Sequence, residues 1–437
     1  MREGARRRTA RVYTNETCNQ NCAFCDRRAP RERPGFVEAA AARVDAADAS
    51  TIVLTGGEPT RRSDLPALVR RAAATGARVE LETNGALIDG PRAEALAAAG
   101  LALARVHLPA WGAACDAITR DPGGFEATRR GIAALAAASI AIEVSTPVVA
   151  ANAETLPQLP GHLAGSGLPI EALVIGVPTS VRGRAASTLL PLPAAARVLE
   201  EAVEAARRVG LVVRLDDHAS IPPCLLRDPA RHAHLFSLTP GGRDRPGHAR
   251  VAACADCAVA DRCPGVPEVA LDAVADAARP IARDRVRRRL SLISTVDEQI
   301  ERELVQDEVQ RRAGEPPRLA RTVRVNFHCN QACEFCFVST HLPAAPDAAV
   351  ERAISDAASK GADVVLSGGE PTLHPRIAAL VRLAKAGGAA LVELQTNAIR
   401  LGDPARVAAL RDAGLDVVHA SLHASTAEVS DAITRAP

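Results

Sequence analysis

The sequence of 437 residues has few aromatic side chains, little net charge and no long apolar run. Its 53 Lys and Arg residues nearly balance 51 Asp and Glu, so charge gives no sign of nucleic-acid or membrane-surface binding. No apolar run approaches the ~18 residues that span a bilayer. The basic start MREGARRRTAR is followed by no apolar stretch, which excludes a secretory signal. We therefore predict a cytoplasmic protein with neither nucleic acid nor membrane as partner.

Cysteine is the residue type whose distribution is informative. There are 11 cysteines, an odd number, and all but Cys115 fall into three compact groups. Grouped cysteines in a large cytoplasmic chain are more typical of metal or iron–sulfur sites than of disulfides. Cys115 stands alone in a helical stretch, and we interpret it as an inert buried thiol.

Two of the groups share the spacing C-x3-C-x2-C and an aromatic residue before the last cysteine. They consist of Cys18, Cys22, Phe24 and Cys25, and of Cys329, Cys333, Phe335 and Cys336. Thiolates are the usual ligands of iron–sulfur clusters, which generally take four. Three therefore predict a cluster with one open iron. A structural zinc site would need four closed ligands; the first group has no fourth ligand nearby, and His328 in the second group is matched by Thr17 in the first.

Apolar, β-branched runs alternate with helical patterns before residue 180. The predicted strands are 11–17, 51–54, 78–83, 104–108, 140–148 and 170–177. Such alternation predicts βαβ units and a parallel sheet. Six units favour an α/β fold of the partial (β/α)6 TIM-like barrel type. Reactive groups in such folds lie at the C-terminal ends of the strands.

Two further motifs follow strand ends and occur twice, at an offset of about 312 residues. They are Gly56, Gly57, Glu58 and Pro59 with Thr83 and Asn84, and Gly368, Gly369, Glu370 and Pro371 with Thr396 and Asn397. Glycine lets the backbone approach a ligand closely, and proline stiffens the turn. The carboxylate is suited to a ligand ammonium. The Thr-Asn pairs are expected either to face a ligand or to form a turn with Asn as a local cap.

Together, these motifs resemble the radical S-adenosylmethionine (SAM) superfamily. The resemblance implies that each cysteine triplet holds three irons of a [4Fe–4S] cluster and that the amino and carboxylate groups of SAM chelate the fourth iron. It implies that Phe24 and Phe335 lie on the adenine side, and that the two glycine-rich motifs meet the methionyl amino group. Because the motifs recur in the same order, we predict a duplicated domain.

The third cysteine group comprises Cys224, Cys254, Cys257 and Cys263, the last followed by proline. Four thiolates complete the ligand set of a cluster, and a proline after the last cysteine is typical of ferredoxin-like runs. The segment resembles the SPASM or twitch extension of radical SAM enzymes, which implies one auxiliary [4Fe–4S] cluster. Zinc stays open as the alternative, because paired cysteines with this spacing also bind zinc.

The predicted domains are a first radical SAM barrel (1–180), a SPASM-like segment (181–267), a charged helical linker (268–316) and a second radical SAM domain (317–437). The second copy contains four strand predictions, so we expect it to be truncated relative to a longer protein or completed by a partner chain.

The resemblance implies an enzyme that cleaves SAM reductively to a 5′-deoxyadenosyl radical, which abstracts hydrogen from a small-molecule or peptide substrate. Among substrates we favour a ribosomal peptide. An electron donor such as flavodoxin or ferredoxin is the implied partner. The alternative function is an iron–sulfur electron-relay or peptide-binding protein without SAM turnover.

Overall fold

The protein is described by a computed structural model divided into two compact units, Met1–Ile221 and Pro222–Pro437. No helix among the described residues is long and apolar enough to cross a bilayer. The described residues are 9–25, 29, 31–179, 187–216, 221–229, 232, 245–261, 263–282, 296–310, 318–333, 335–336, 338–340, 342 and 344–435.

The first unit is built on a seven-stranded parallel sheet whose strands lie side by side in chain order. The strands are β1 (Thr9–Tyr13), β2 (Thr51–Thr55), β3 (Arg78–Thr83), β4 (Leu101–His107), β5 (Ala141–Pro147), β6 (Ala172–Gly176) and β7 (Val212–Leu215). The helices are α1 (Ala40–Asp45), α2 (Leu65–Ala73), α3 (Gly90–Ala98), α4 (Ala113–Thr119), α5 (Gly124–Ala137), α6 (Leu159–Gly165) and α7 (Leu192–Arg208). This sequential parallel order is that of an open barrel, so the predicted fold class is confirmed.

Helices cover the sheet because each carries one apolar stripe. In α2 the buried residues Leu65, Leu68, Val69 and Ala72 recur every three or four positions, which is the period of one helix face. In α3, the Asp89 side chain accepts a hydrogen bond from the backbone N–H of the third helical residue at 2.9 Å and so begins the helix. The resulting core fixes the strand ends that carry the predicted site.

The sheet of the first unit has one strand more than the six predicted. The residues after 180, which we assign from the sequence to the SPASM-like segment, include α7 and β7. α7 buries Leu192, Leu199 and Val203, so its apolar stripe is regular. Sequence analysis missed it because the proline-rich and histidine-rich stretches around it dominated the local composition.

The second unit contains a five-stranded sheet in chain order, parallel except for its first strand. Its strands are β10 (Val305–Gln310), β11 (Arg318–Asn326), β12 (Asp363–Gly368), β13 (Val392–Thr396) and β14 (Val417–Ala420), and a separate two-stranded ribbon pairs β8 (His248–Ala249) with β9 (Val266–Pro267). The helices are α8 (Leu271–Val274), α9 (Val296–Leu304), α10 (Asp347–Ser359), α11 (Ile377–Ala386), α12 (Pro404–Asp412) and α13 (Ala427–Thr434).

Strand β10 departs from the predicted helical linker 268–316. It pairs antiparallel with β11, and Arg321 of β11 donates to Asp307 of β10 at 2.6 Å. Charged side chains on this strand led us to expect a solvated helix, but they lie along a sheet edge, where charge is common. Residues 283–295 and 311–316 of the predicted linker lie outside the described residues.

Candidate radical SAM site

The first cysteine triplet lies on the loop that follows β1. Cys18 and Cys22 are half-buried, and Cys25 is exposed. Burial, followed by the nearby Cys25 and Cys18 thiols, raises the pKa of Cys22 to about 12. A charge on one of these sulfurs opposes charge on Cys22, so a bound cation would favour its thiolate form. Two donors meet Cys18 Sγ: the backbone N–H of Gln20 at 3.3 Å and the Asn84 side-chain amide at 3.8 Å.

Helix α4 holds this loop in place through its last carbonyl groups. The backbone N–H of Asn21 donates to the carbonyl of Thr119, and that of Ala23 to the carbonyl of Ile118, both at 3.0 Å. The Asp116 carboxylate accepts from two backbone N–H groups at the start of α5, both at 2.7 Å. The sequence Asp-Ala-Ile-Thr-Arg at 116–120, which recurs at 431–435, thus anchors the cysteine loop.

Glu32 is a residue that sequence analysis missed. Its carboxylate accepts from the backbone N–H groups of Glu16 at 2.7 Å and Thr17 at 2.8 Å, and from the Thr17 hydroxyl at 2.5 Å. It therefore fixes the chain immediately before Cys18. No local motif marks it, because its partners lie 15 and 16 residues earlier.

The Glu58 carboxylate joins the glycine-rich motif to the Thr-Asn pair. One oxygen accepts from the Thr60 backbone N–H at 2.9 Å, the Thr60 hydroxyl at 2.6 Å and the Thr83 hydroxyl at 2.6 Å. The other oxygen accepts from the Asn84 backbone N–H at 2.7 Å. Glu58 is only 1% exposed. Protein donors already surround both Glu58 oxygens. The predicted contact between Glu58 and a ligand ammonium is therefore not part of this arrangement and stays a prediction.

The second unit repeats this arrangement around Glu370. The carboxylate accepts from the Thr372 backbone at 2.9 Å, the Thr372 hydroxyl at 2.5 Å, the Thr396 hydroxyl at 2.6 Å and the Asn397 backbone at 2.7 Å. The four distances agree with those in the first unit within 0.1 Å. Both copies therefore use the glutamate to join two strand ends.

We expect Glu58→Gln to destabilise the first unit by about 2 kcal/mol, because buried hydrogen bonds to a charged group contribute about 1.5–3 kcal/mol. The amide would also turn a donor toward a backbone N–H that needs an acceptor. The test is urea unfolding followed by fluorescence of Trp111, the single tryptophan. Glu126→Gln, a change on an exposed side chain of α5, is the control and should stay within about 0.5 kcal/mol of wild type. An equally small effect at Glu58 would contradict the account.

The glycines of the motif are required by close backbone packing. A Cβ on Gly57 would stand 2.2 Å from the carbonyl oxygen of Thr17, and one on Gly56 would stand 2.5 Å from that of Asn15. The backbone N–H groups of Gly57 and Glu58 donate to these same carbonyls at 3.0 and 2.9 Å. The motif therefore packs directly against the chain that enters the cysteine loop.

Asn84 combines the two roles predicted for the Thr-Asn pair. Its side-chain oxygen accepts from the Ala86 backbone N–H at 3.0 Å, which is a local cap. Its side-chain nitrogen donates to Asn19 at 2.8 Å, beside the 3.8 Å contact with Cys18. Asn397 in the second unit likewise donates to Asn330 at 2.7 Å. The pair therefore turns the chain and also faces the cysteine loop.

These groups surround one cavity of about 290 Å³ at the C-terminal ends of the strands. All three thiols of the first triplet reach it, together with the glycine-rich motif, Asn84 and side chains from several strands. The lining residues are Arg11, Cys18, Gln20, Cys22, Phe24, Cys25, Thr55, Gly56, Gly57, Glu58, Glu82, Thr83, Asn84, Arg105, His107, Ser145 and Asp216. One cavity thus brings most of the site residues predicted for the first copy together; Pro59 lies in the adjoining short helix Pro59–Arg61.

Phe24 meets His107 at the cavity wall, edge to face, with ring centroids 5.3 Å apart. Within the described part of the chain, His107 Nε2 has no hydrogen-bond partner. Burial lowers the pKa of His107 to about 4, against an opposing effect of Glu82. In the second unit Phe335 makes the same kind of contact with His423, at 4.8 Å. Each predicted aromatic residue is therefore paired with an imidazole.

We expect the first unit to lose stability as the pH falls from about 6.5 to about 4, because His107 stays neutral when folded but takes a proton when unfolded. The folded pKa lies below the unfolded one, so acid favours the unfolded chain. The His107 contribution between about pH 7 and about pH 5 is about 2 kcal/mol. Urea unfolding of wild type and His107→Gln at both pH values measures it. A pH dependence unchanged in the variant would contradict the assignment.

The third cysteine group also converges, in the second unit. Cys224, Cys254, Cys257 and Cys263 line a single small cavity whose wall includes Arg250. Burial, followed by the thiols of the other three cysteines, raises the pKa of Cys224 to about 12. No three metal-ligating side chains among the described residues are close enough to hold one ion. The same holds for the two cysteine triplets, so among the described residues none of the three groups forms a closed metal-ligand set.

The second triplet follows β11 as the first follows β1. Cys329 and Cys333 are half-buried and Cys336 is exposed, which matches the first triplet. The backbone N–H of Ala332 donates to the carbonyl of Thr434 at 2.8 Å, so α13 anchors this loop as α4 anchors the other. A Cβ on Gly369 would stand 2.1 Å from the carbonyl oxygen of His328, as at Gly57. The loop and the predicted residues Gly368, Glu370 and Pro371 thus reproduce the local structure of the first copy.

The family model described as Radical SAM superfamily matches residues 12–156 and 323–437, more than half of the chain. The chain belongs to the radical SAM superfamily. This confirms the predicted family and the cofactors that the family uses, a [4Fe–4S] cluster and SAM. The ligand and cofactor-binding residues stay predictions, now placed by the geometry above.

Radical SAM proteins similar to this chain include two curated relatives. The AdoMet-dependent heme synthase of Oleidesulfovibrio alaskensis is 33% identical over 143 residues, 31% of this chain and 37% of that protein. The Fe-coproporphyrin III synthase of Methanosarcina barkeri is 27% identical over 237 residues, 51% of this chain and 59% of that protein. The chain therefore spans between about a third and three fifths of the length of these relatives.

Among solved structures, Streptococcus suis SuiB bound to S-adenosylmethionine is similar to this chain with a TM-score of 0.44 and 15% sequence identity. The similarity covers 63% of this chain and 76% of that chain.

Proposed function

We propose that the first unit is a radical SAM enzyme site. In this proposal Cys18, Cys22 and Cys25 hold the [4Fe–4S] cluster, and SAM binds in the adjoining cavity. The observation that carries it is the cavity itself, in which the three thiols share a wall with the Gly56–Gly57 backbone. When bound and reduced by an external electron donor, the cluster would supply the one electron needed for reductive cleavage of SAM to methionine and a 5′-deoxyadenosyl radical, which would abstract hydrogen from substrate.

The donor set fits a cluster of this kind. Three soft thiolates on one short loop suit iron–sulfur chemistry, and a three-cysteine set leaves one iron for a non-protein ligand. The backbone N–H that meets Cys18 Sγ at 3.3 Å would stabilise negative charge on that sulfur. The Asn84 amide reaches the same sulfur from the neighbouring strand end. These contacts place polar donors where a cluster would carry its charge.

The other cavity residues bind and orient the ligand, and they exclude water from it. Glu58 and Glu32 fix the two loops that form the cavity, and Gly57 lets them approach closely. Phe24 offers an apolar ring for the adenine, as the family resemblance implies. The His107 ring behind it is neutral at physiological pH, because burial lowers its pKa to about 4. The His107 ring therefore adds no positive charge to the cavity wall near Phe24.

For the second unit we propose a second SAM-binding cluster at Cys329, Cys333 and Cys336, and an auxiliary [4Fe–4S] cluster at the third cysteine group. Arg250 in the wall of that cavity would offset part of the charge on four thiolates. Zinc stays the alternative to an iron–sulfur cluster in the third cysteine group. The domain boundaries predicted from the sequence are also part of this proposal.

The substrate class has two candidates. Resemblance of the third cysteine group to SPASM extensions favours a ribosomal peptide. Two relatives are named for heme and Fe-coproporphyrin III synthesis, which favours a tetrapyrrole. A flavodoxin or ferredoxin is the proposed electron donor for either substrate.

The experiment is anaerobic reconstitution, chemical reduction and addition of SAM, followed by measurement of 5′-deoxyadenosine and of iron per chain. Three clusters predict about 12 irons per chain and release of 5′-deoxyadenosine. About 8 irons with one zinc would move the third group to a structural role. A full iron content without cleavage of SAM would favour the alternative function, an electron-relay protein, over an enzyme. Absence of iron would overturn both.

A further inference from the structure

Charged side chains alternate across the sheet of the first unit, beneath the cysteine loop. Arg105 of β4 contacts Glu82 of β3 at 3.4 Å and Glu143 of β5 at 2.9 Å. Arg11 of β1 pairs with Glu82, and Arg214 of β7 pairs with Glu143. The row ends in an arginine on either side. Arg11, Glu82 and Arg105 also line the cavity that contains the three thiols.

The two cavity arginines differ in how fully they are paired. Arg105 is within ion-pair distance of three carboxylates, those of Glu80, Glu82 and Glu143. Arg11 donates one hydrogen bond, from Nη1 to Glu82. A guanidinium has five N–H groups, so four on Arg11 find no acceptor within the described part of the chain. Its side chain is 19% exposed, and none of its nitrogens is both buried and unpaired, so the remaining N–H groups are accessible to water or to a ligand in the cavity that Arg11 lines.

The second unit has uncharged side chains at the positions that correspond to Arg11 and Glu82. In the first unit, Arg11 of β1 lies opposite Val53 of β2, and Glu82 of β3 lies opposite Arg105 of β4. The same register in the second unit, with Val365 in place of Val53, places Thr322 at the position of Arg11. Gln395 and His419 then correspond to Glu82 and Arg105. Both members of the Arg11–Glu82 pair are thus replaced by neutral residues.

The contrast separates residues for the cofactor from residues for the substrate. Both units have the cysteine triplet, the glycine-rich motif, the glutamate network and the Phe–His contact, and the family model matches both. Features common to both suit a ligand common to both, which in the proposed function is SAM. Arg11 has no counterpart in the second unit, so a ligand that contacts it would be specific to the first unit.

We propose that Arg11 is a specificity residue that binds a carboxylate of the first unit's substrate, and that the second unit takes a substrate without this group. The guanidinium fork matches a planar carboxylate in a bidentate arrangement. Glu82, Glu58 and Asp216 line the same cavity, which disfavours a group with two negative charges. This proposal rests on the proposed function in one respect, which is that the cavity is the site of the reaction.

The test uses butyrate, a monocarboxylate, as the probe and butyramide as its neutral counterpart of similar size. Both are titrated by ligand-detected NMR into the full chain, reconstituted and saturated with SAM. Wild type is expected to bind butyrate at millimolar concentration and to bind butyramide at least about 10-fold more weakly, the loss expected for one charge-assisted contact. Arg11→Gln should lose this preference, and Arg11→Lys should retain part of it. Arg129→Gln, on the outer helix α5, is the control and should behave as wild type.

Three results would overturn the proposal. The first is no butyrate binding by wild type, and the second is butyrate binding that Arg11→Gln leaves unchanged. The third is a loss of SAM affinity in Arg11→Gln, measured by equilibrium dialysis, as large as the loss for butyrate, since Arg11 would then bind the SAM carboxylate. Circular dichroism confirms that the variant is folded, and Arg11→Lys supplies a folded variant if it is not. Formation of 5′-deoxyadenosine, measured on the same samples, tests the proposed function separately.

Discussion

Replacing Cys18, Cys22 and Cys25 together with alanine should remove about four irons per chain and abolish the 5′-deoxyadenosine that the first unit forms. The second unit has its own triplet, so the experiment is cleanest in a chain whose Cys329, Cys333 and Cys336 are already alanine. In that background the yield should fall by at least about 10³-fold, because without the cluster no group in the cavity can deliver an electron to SAM.

Cys115→Ala is the matched control for the loss of a thiol. Cys115 is 2% exposed in α4, and burial raises its pKa to about 12, so it is held as a neutral thiol. It lines neither of the two cavities that contain the cysteine groups. We expect this variant to keep its full iron content and activity. Activity retained by the triplet variant, or lost equally in the Cys115 variant, would contradict the assignment of the first cluster.

Gly57→Ala should displace the cysteine loop and prevent assembly of the first cluster. The new methyl group would stand 2.2 Å from the carbonyl oxygen of Thr17, on rigid backbone rather than on a flexible side chain. Relieving this overlap must separate the glycine-rich loop from the cysteine loop and break the hydrogen bond from Glu58 N–H to Thr17 at 2.9 Å. We expect a destabilisation of about 3 kcal/mol and a loss of about four irons.

Gly161→Ala provides the matched control. Gly161 lies in α6, and a Cβ there would meet no atom within 4 Å. Alanine favours helix over glycine by about 0.5–1 kcal/mol, so this variant should be as stable as wild type or more stable. Urea unfolding followed by Trp111 fluorescence, together with iron analysis, compares the two. Equal stability and iron content in both glycine variants would contradict the packing described for Gly57.

Features with a short-range pattern could be predicted from the sequence. Five of the six strand predictions before residue 180 were confirmed within three residues at each end, because β-branched and apolar runs marked them. The first prediction, 11–17, shares only residues 11–13 with β1, since the chain leaves the sheet after Tyr13 to form the cysteine loop. The convergence of Cys18, Gly57 and Asn84 followed from one rule, that parallel strands end at a common edge. The duplicated motifs strengthened both predictions.

Features that depend on distant partners could not be predicted. Glu32 and the Arg11–Glu82 pair gain their roles from contacts 15 to 71 residues away in sequence. Strand β10 was predicted as a helix because its charges suggested a solvated surface, whereas pairing with β11 decided its structure. The Glu58 carboxylate was expected to meet a ligand, and only the three-dimensional arrangement shows that Thr83 and Asn84 bind it.

The most direct test of a SAM-binding cluster at the first triplet is electron–nuclear double resonance on reduced protein with SAM carrying a ¹⁵N-labelled amino group. The sample is the chain in which Cys329, Cys333 and Cys336 are alanine. The proposal then leaves one SAM-binding cluster, that of the first unit. We predict a ¹⁵N coupling to the cluster signal that disappears when Cys18, Cys22 and Cys25 are also replaced. A cluster signal that SAM leaves unchanged, with no ¹⁵N coupling, would contradict the account.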